Sequence, residues 1–427
     1  MISNRGDHPT VRELEATRLL ERYRAARSAS TRFASFLEPE DCVIQSMPDV
    51  SPTRWHLAHT TWFFETFVLL AADPDQARFN PAYEVLFNSY YNTVGEQFPR
   101  PRRGLLSRPT VSEVLEYRAS VDDRVERLLS AGGVEDSLLE VIELGLNHEE
   151  QHLELMYTDI KHVLFQNPLF PTYRAGAKWR PTNTAELRWI ARDEGLRRIG
   201  SEDETGFAFD NERPRHRRFL EGYQLANRLI TCGEYLEFIE DGGYETPQLW
   251  LSEGWRVVRQ EGWNAPLYWR RAEGQWRIFS LAGDRPLRLD EPVCHVSYFE
   301  ADAYARWARA RLATEAEWET VANGESIEGN LLESDRLHPC GAGEPVDGRA
   351  SQLFGDTWEW TATSYSAYPG YQTAEGALGE YNGKFMCNQY VLRGGSCVTP
   401  AGHIRSTYRN FLPPEARWQF TGIRLAR

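Results

Sequence analysis

The hydrophobic pattern of the chain changes once, near residue 170, and that change decides its fold class. Before it, four segments carry apolar or small residues at helical spacing: 11–33 (VRELEATRLLERYRAARSASTRF), 52–72, 110–130 and about 136–165. Recurrence at i, i+3, i+4 and i+7 marks amphipathic helices. In the third segment Val111, Val114, Val121, Val125 and Leu128 form one stripe, and Thr110 followed by Glu113 is a capping box at its start. Four helices with one long connection, 73–109, predict an up-down bundle. After "FQNPLFPTYRAGAKWRPTNTAELRW", rich in Pro, Gly and Thr, the helical period fails. Residues 190–427 hold many glycines, short apolar runs and turn signals such as EDGGYE and NGK, with clear helices only at about 231–240 and 299–311. Of the 14 tryptophans, only Trp55 and Trp62 precede position 175. Two domains are therefore expected: 1–172, helical, and 173–427, an irregular α+β domain.

The net charge of −14 argues against nucleic acid and anionic membrane as partners. No apolar run approaches the roughly 18–20 residues that span a bilayer. The start, MISNRGDHPTVRELEATRLL, is polar and then amphipathic, unlike a secretory signal. Six scattered cysteines (42, 232, 294, 340, 387, 397) form no CxxC pair. Reduced thiols in a cytoplasm are expected.

Within the fourth helix, NHEEQH (147–152) contains the H-E-x-x-H pattern of zinc proteases. His148 and His152 are one turn apart, about 40° around the helix. Gly145, Ile142, Leu155 and Met156 continue that face, so both imidazoles point into the bundle core. Two buried imidazoles are costly unless each finds a partner, and one divalent metal satisfies both. A third ligand is offered by His56 or His59 in WHLAHTTWFFE; they are three apart, and His59, followed by an apolar run, suits the buried position better. Three imidazoles suit zinc with a water or a non-haem iron with open positions. The protease reading needs Glu149 as general base, but its side chain is rotated about 100° off the histidine face. No H-E-x-x-H-x-x-G-x-x-H continuation follows.

Taken together and in this order, SPTRWHLAHTTWFFETFVL, NHEEQHLELMYTDIKH, AFDNERPRH, LITCGEYLEFIEDGGY, ARLATEAEWE, GDTWEWTATSY, LRGGSC and RNFLPPEARWQFTGIRLAR resemble the ergothioneine-biosynthesis sulfoxide synthases, the EgtB family. The likeness runs from about residue 10 to 427. It implies an N-terminal DinB-like four-helix bundle and a C-terminal α+β domain of the formylglycine-generating-enzyme, C-type-lectin-like kind that closes the active site. It also implies a mononuclear non-haem Fe(II) held by His59, His148 and His152. Such an enzyme uses O2 to join a cysteine-type thiol to C2 of the imidazole of hercynine (Nα-trimethylhistidine), giving a sulfoxide.

The resemblance assigns further roles residue by residue. Gln151 falls where the family faces the bound histidine derivative. Tyr90 and Tyr91 match adjacent tyrosines that one branch uses as proton or hydrogen donor, with Tyr90 the leading residue. Arg100 and Arg103 match a pair that holds the thiol substrate's carboxylate, as paired guanidinium donors do. Asn410 would bind the substrate carboxylate, with Phe411 packed beside it. In the γ-glutamylcysteine branch an acidic residue follows; here it is Leu412, which favours free cysteine. A selenoneine synthase, joining a selenosugar to hercynine, shares the architecture and is the close alternative; a zinc hydrolase using Glu149 is the more distant one. RGGSC invites comparison with the copper-binding thiols of formylglycine-generating enzymes, but Cys397 is read as structural.

Overall fold

The helical segments become the first of two units, Met1–Val163 and Leu164–Arg427. The computed structural model describes residues 11–175, 185–202, 206–343, 348–373, 375 and 377–427. The polar N-terminus and the middle of the Pro-, Gly- and Thr-rich connection lie outside the described residues.

The bundle is made by α1 (Val11–Ala34), α2 (Thr53–Phe64), α4 (Val111–Ala131) and α5 (Asp136–Phe165), with a short α3 (Tyr83–Phe87) in the long connection. At the start of α4, Thr110 Oγ1 accepts from the Glu113 N–H and the Glu113 carboxylate accepts from the Thr110 N–H, as a capping box should. The core stripe of α4 is Val114, Tyr117, Arg118, Val121, Val125 and Leu129. Leu129 rather than Leu128 closes it, and a charged residue, Arg118, lies within it.

α2 is unusual in being buried at all 12 positions. It continues through a wide π-type turn, Glu65–Leu69, to Ala72. Such turns are frequent beside functional sites. α5 approaches α2 closely at Gly145, where a Cβ would lie 2.8 Å from the Phe64 ring and 2.9 Å from the Phe63 ring. That glycine, one turn before His148, lets α2 and α5 meet.

Among its described residues the second unit is α+β with four small sheets. One has the order β1–β4–β13–β8, formed by Trp189–Arg192, Tyr223–Ala226, Leu425–Ala426 and Arg311–Leu312. Another, β11–β10–β9–β12, is formed by Asn410–Leu412, Tyr390–Arg393, Trp358–Ser364 and Thr421–Gly422. β2 (Gly195–Ile199) pairs with β3 (His216–Leu220), and Trp269–Ala272, Gln275–Ser280 and Gly283–Pro286 form the meander β5–β6–β7. The helices are α6 (Cys232–Glu240), α7 (Ser252–Glu261), α8 (Tyr298–Trp307) and α9 (Glu315–Ala322). α8 stops four residues before the expected 311. Arg309 turns left-handed (φ 53°) and the Ala310 N–H reaches back to Ala305 O, which ends the helix without a glycine.

Buried ion pairs fix this unit. Arg409 and Arg393 share Glu315, Arg393 also reaches Glu319 at 2.7 Å, and Arg424 clamps Glu359. None of the six cysteines is in a disulfide; Cys397 is buried. Among the described residues no helix is long and apolar enough to cross a membrane.

Candidate metal centre

The i,i+4 spacing on α5 brings the His148 and His152 rings to 4.5 Å between centroids. His59, from α2, lies 4.9 Å from the first and 4.7 Å from the second. All three are buried, and one ligand atom from each lies within 4.8 Å of the others. In two of the three rings the nitrogen not needed for a metal is held. His59 Nδ1 meets the carbonyl of Phe87 at 2.6 Å, so its Nε2 faces inward, 3.2 Å from His148 Nε2. His152 Nδ1 lies 2.8 Å from His56 Nδ1. His56 is therefore a neighbour of a ligand, and its other nitrogen lies 3.0 Å from Asp159 Oδ2.

Aromatic faces lock the His59 ring in place. Trp55 stacks on it at 4.6 Å and 13°, and Trp62 on the other flank at 5.7 Å and 15°. Burial pushes the His148 imidazole down to about 3. Burial, then the neighbouring His148 charge, holds His59 and His152 well below the usual histidine range. The three rings are thus neutral near pH 7, with lone pairs ready for a metal. Three neutral, buried nitrogen donors fit a divalent ion that keeps open positions for substrates.

Glu149 points elsewhere. Its carboxylate accepts from Ser30 Oγ at 2.5 Å, Arg118 Nη2 at 2.6 Å and Arg27 Nη1 at 3.1 Å, all buried. These charges, not desolvation, win: the carboxyl is held well below its usual range. A carboxylate so occupied is a structural anion and not a base at the histidine triad.

The other expected residues are distributed as follows. Tyr91 is fully buried, packing against Trp62 at 5.7 Å and Phe67 at 5.1 Å, with half-buried Tyr90 against it at 4.7 Å. Their turn is closed by Asn88, whose side chain meets both the N–H and the C=O of Tyr91. Arg103 is buried, its guanidinium 3.3 Å above the Trp55 ring, donating to Ser51 Oγ and Ser89 Oγ. Arg100 is exposed and donates to Asp49 O. Gln151 is half-buried, one residue before His152. Asn410 and Phe411 are in the second unit on β11, where Phe411 stacks on Tyr365 at 4.0 Å. Sequence reasoning missed Trp55, Trp62, the Phe87 carbonyl and the His56–Asp159 pair as supports of the triad. Asp159 had a signal, since it lies two turns beyond His152 on the same face of α5.

Residues 22–156 match the DinB superfamily profile, and residues 180–345 and 333–427 match the sulfatase-modifying factor enzyme 1-like domain. The chain is 32% identical to "Hercynine oxygenase" of Mycobacterium tuberculosis, over 94% of this chain and 96% of that one. It is 30% identical to "Hercynine oxygenase" of Mycolicibacterium thermoresistibile, over 94% and 92%. Its second half is similar to the formylglycine-generating enzyme of Thermomonospora curvata, 28% identical over 49% of this chain and 88% of that one. The relatives, the fold and the site together define an oxygenase-type oxidoreductase in which a DinB-like bundle carrying a three-histidine cluster precedes a sulfatase-modifying-factor domain. The chain belongs to the hercynine oxygenase family.

Proposed function

We propose that this chain is an Fe(II)- and O2-dependent sulfoxide synthase of the cytoplasm. It would join C2 of hercynine to the sulfur of cysteine, giving hercynylcysteine sulfoxide for ergothioneine biosynthesis. The observation that carries the reading is the buried His59–His148–His152 cluster in a chain of this family. Iron bound there would supply oxygen activation and hold both organic partners at one centre, an orientation effect that can be large. None of the six cysteines is in a disulfide, which fits a reducing compartment.

The remaining work falls to the protein. Arg103 supports a carboxylate-binding role: its donors meet two serine hydroxyls and an indole face, with no carboxylate ion-paired to it among the described residues. Burial lowers it to about 8 from the usual 12.5. An arginine stays protonated all the same, so that buried charge favours an incoming anion. Tyr90 and Tyr91 would deliver the proton or hydrogen that keeps the thiol on the coupling path. Gln151, beside His152, would face hercynine. Asn410 and Phe411 would hold substrate, and Arg100 would assist Arg103. The engagement of Glu149 by Arg27 and Arg118 disfavours a zinc hydrolase.

The test is anaerobic loading with Fe(II), then oxygen with hercynine and, separately, cysteine, γ-glutamylcysteine or a selenosugar, read by mass spectrometry. Cysteine is expected to give the coupled sulfoxide. A selenium adduct alone would make the chain a selenoneine synthase, and no coupled product with any donor would overturn the assignment.

A further inference from the structure

His56 was one of two candidates for the third ligand, yet its ring does not join the triad. Its Nδ1 lies 2.8 Å from His152 Nδ1 and its Nε2 lies 3.0 Å from Asp159 Oδ2. The same Asp159 oxygen accepts the Ser51 N–H at 2.9 Å. His56, Asp159 and His152 are 2%, 4% and 9% exposed, so no bulk water competes for these contacts.

The hydrogen positions follow from the chemistry of the donors. A carboxylate accepts and does not donate. His56 Nε2 must therefore carry the proton that faces Asp159. A neutral imidazole then presents a lone pair at Nδ1. That lone pair faces His152 Nδ1, which must be the N–H. His152 is left with its lone pair on Nε2. The opposite arrangement would set two lone pairs against each other at the carboxylate.

We propose that Asp159 and His56 are positioning residues that select the Nδ1–H tautomer of His152 and so present its Nε2 to the metal. His59 reaches the same end with the Phe87 carbonyl. The inference rests on the metal-binding part of the reading above but not on its substrates. Partners of this kind are typically worth about 10- to 100-fold in metal affinity.

The test is an anaerobic titration of the metal-free full chain with cobalt(II), reading both the dissociation constant and the visible ligand-field band, without hercynine or thiol. His56→Leu should weaken binding about 10- to 100-fold and shift the band. His56→Asn places an amide oxygen near the lost Nδ1 and should regain most of the affinity. Asp159→Leu should also weaken binding, and the double Leu variant should be no weaker than His56→Leu, because Asp159 acts through His56. Thermal unfolding of each metal-free variant controls for folding. Unchanged affinity in His56→Leu overturns the proposal. So does an Asn variant that folds but binds as weakly as the Leu variant, or a wild-type chain that binds no cobalt. A wild-type chain that binds cobalt but yields no coupled product sinks the proposed reaction and leaves this inference standing.

Discussion

Arg118 Nη2 donates to Glu149 Oε1 at 2.6 Å, with both side chains almost completely buried. The glutamate of the H-E-x-x-H pattern is thus neutralised from α4, on the side of α5 away from the histidines. Arg27 joins the same carboxylate, and Asp122 balances Arg27 at 2.6 Å. Glu149→Gln leaves a buried positive charge without its counter-charge. Breaking one side of such a pair costs about 3–5 kcal/mol. A clear fall in melting temperature is expected, while the protein that remains folded still binds metal. Loss of activity with unchanged stability would instead point to a catalytic glutamate.

Gly145 controls how closely the ligand helices approach. Gly145→Ala improves intrinsic helix propensity by about 1 kcal/mol. Its methyl group, however, would press on the Phe63 and Phe64 rings at under 3 Å. Net destabilisation and weaker metal binding are expected, because His59 and the α5 pair are forced apart. A calorimetric titration with cobalt or zinc reads this directly; a variant that is both stabler and equally tight would show the contact to be soft.

If Tyr90 and Tyr91 deliver a proton or hydrogen, replacing both by Phe should shift product from the coupled sulfoxide towards oxidised thiol alone. The single variants separate the roles. Tyr91 packs on Trp62, which stacks on His59, whereas Tyr90 is half-buried beyond it. Product ratios by mass spectrometry decide, and an unchanged ratio in the double variant removes the assigned role.

Acid should weaken the metal-free bundle by a route that can be signed. His59, His148 and His152 have depressed values in the folded state, His148 at about 3. The unfolded chain takes up protons near the ordinary value of about 6.5 while the folded chain does not. Stability is full above that value and falls as pH drops towards the folded values, by up to about 1.4 kcal/mol per pH unit for each group. Melting temperatures of metal-free protein should hold from pH 7.5 to about 6.5 and fall from there to pH 5. A flat profile would show that the rings are not buried neutral.

The bundle was readable because its helices are long, periodic and cleanly begun: the Thr110–Glu113 box marks the start of α4. His59 could be favoured over His56 because of the apolar run that follows it. The supports were not readable. The Phe87 carbonyl that orients His59 is backbone and carries no side-chain signature. Asp159 meets His56 across a sequence separation of 103 residues. In the second unit, α7 escaped notice because Gly254 sits in its first turn, where an added Cβ would lie 2.8 Å from Phe299. α9, eight residues long, is too short to show a period. The early end of α8 was hidden because Arg309, not glycine, takes the left-handed turn.

α2 has no face turned to solvent. Along an ordinary surface helix, one side tolerates exchange and the other resists it, and the record of accepted changes repeats every 3.6 residues. Along Thr53–Phe64 every position meets protein. Trp55 and Trp62 hold a ligand ring, His56 meets another ligand, His59 is in the triad, and Arg54 and Thr61 serve buried hydrogen bonds. A saturation scan of this segment should therefore return a flat block of intolerance instead of a periodic trace. Adaptation towards a different substrate has no room to begin here and must start on other elements.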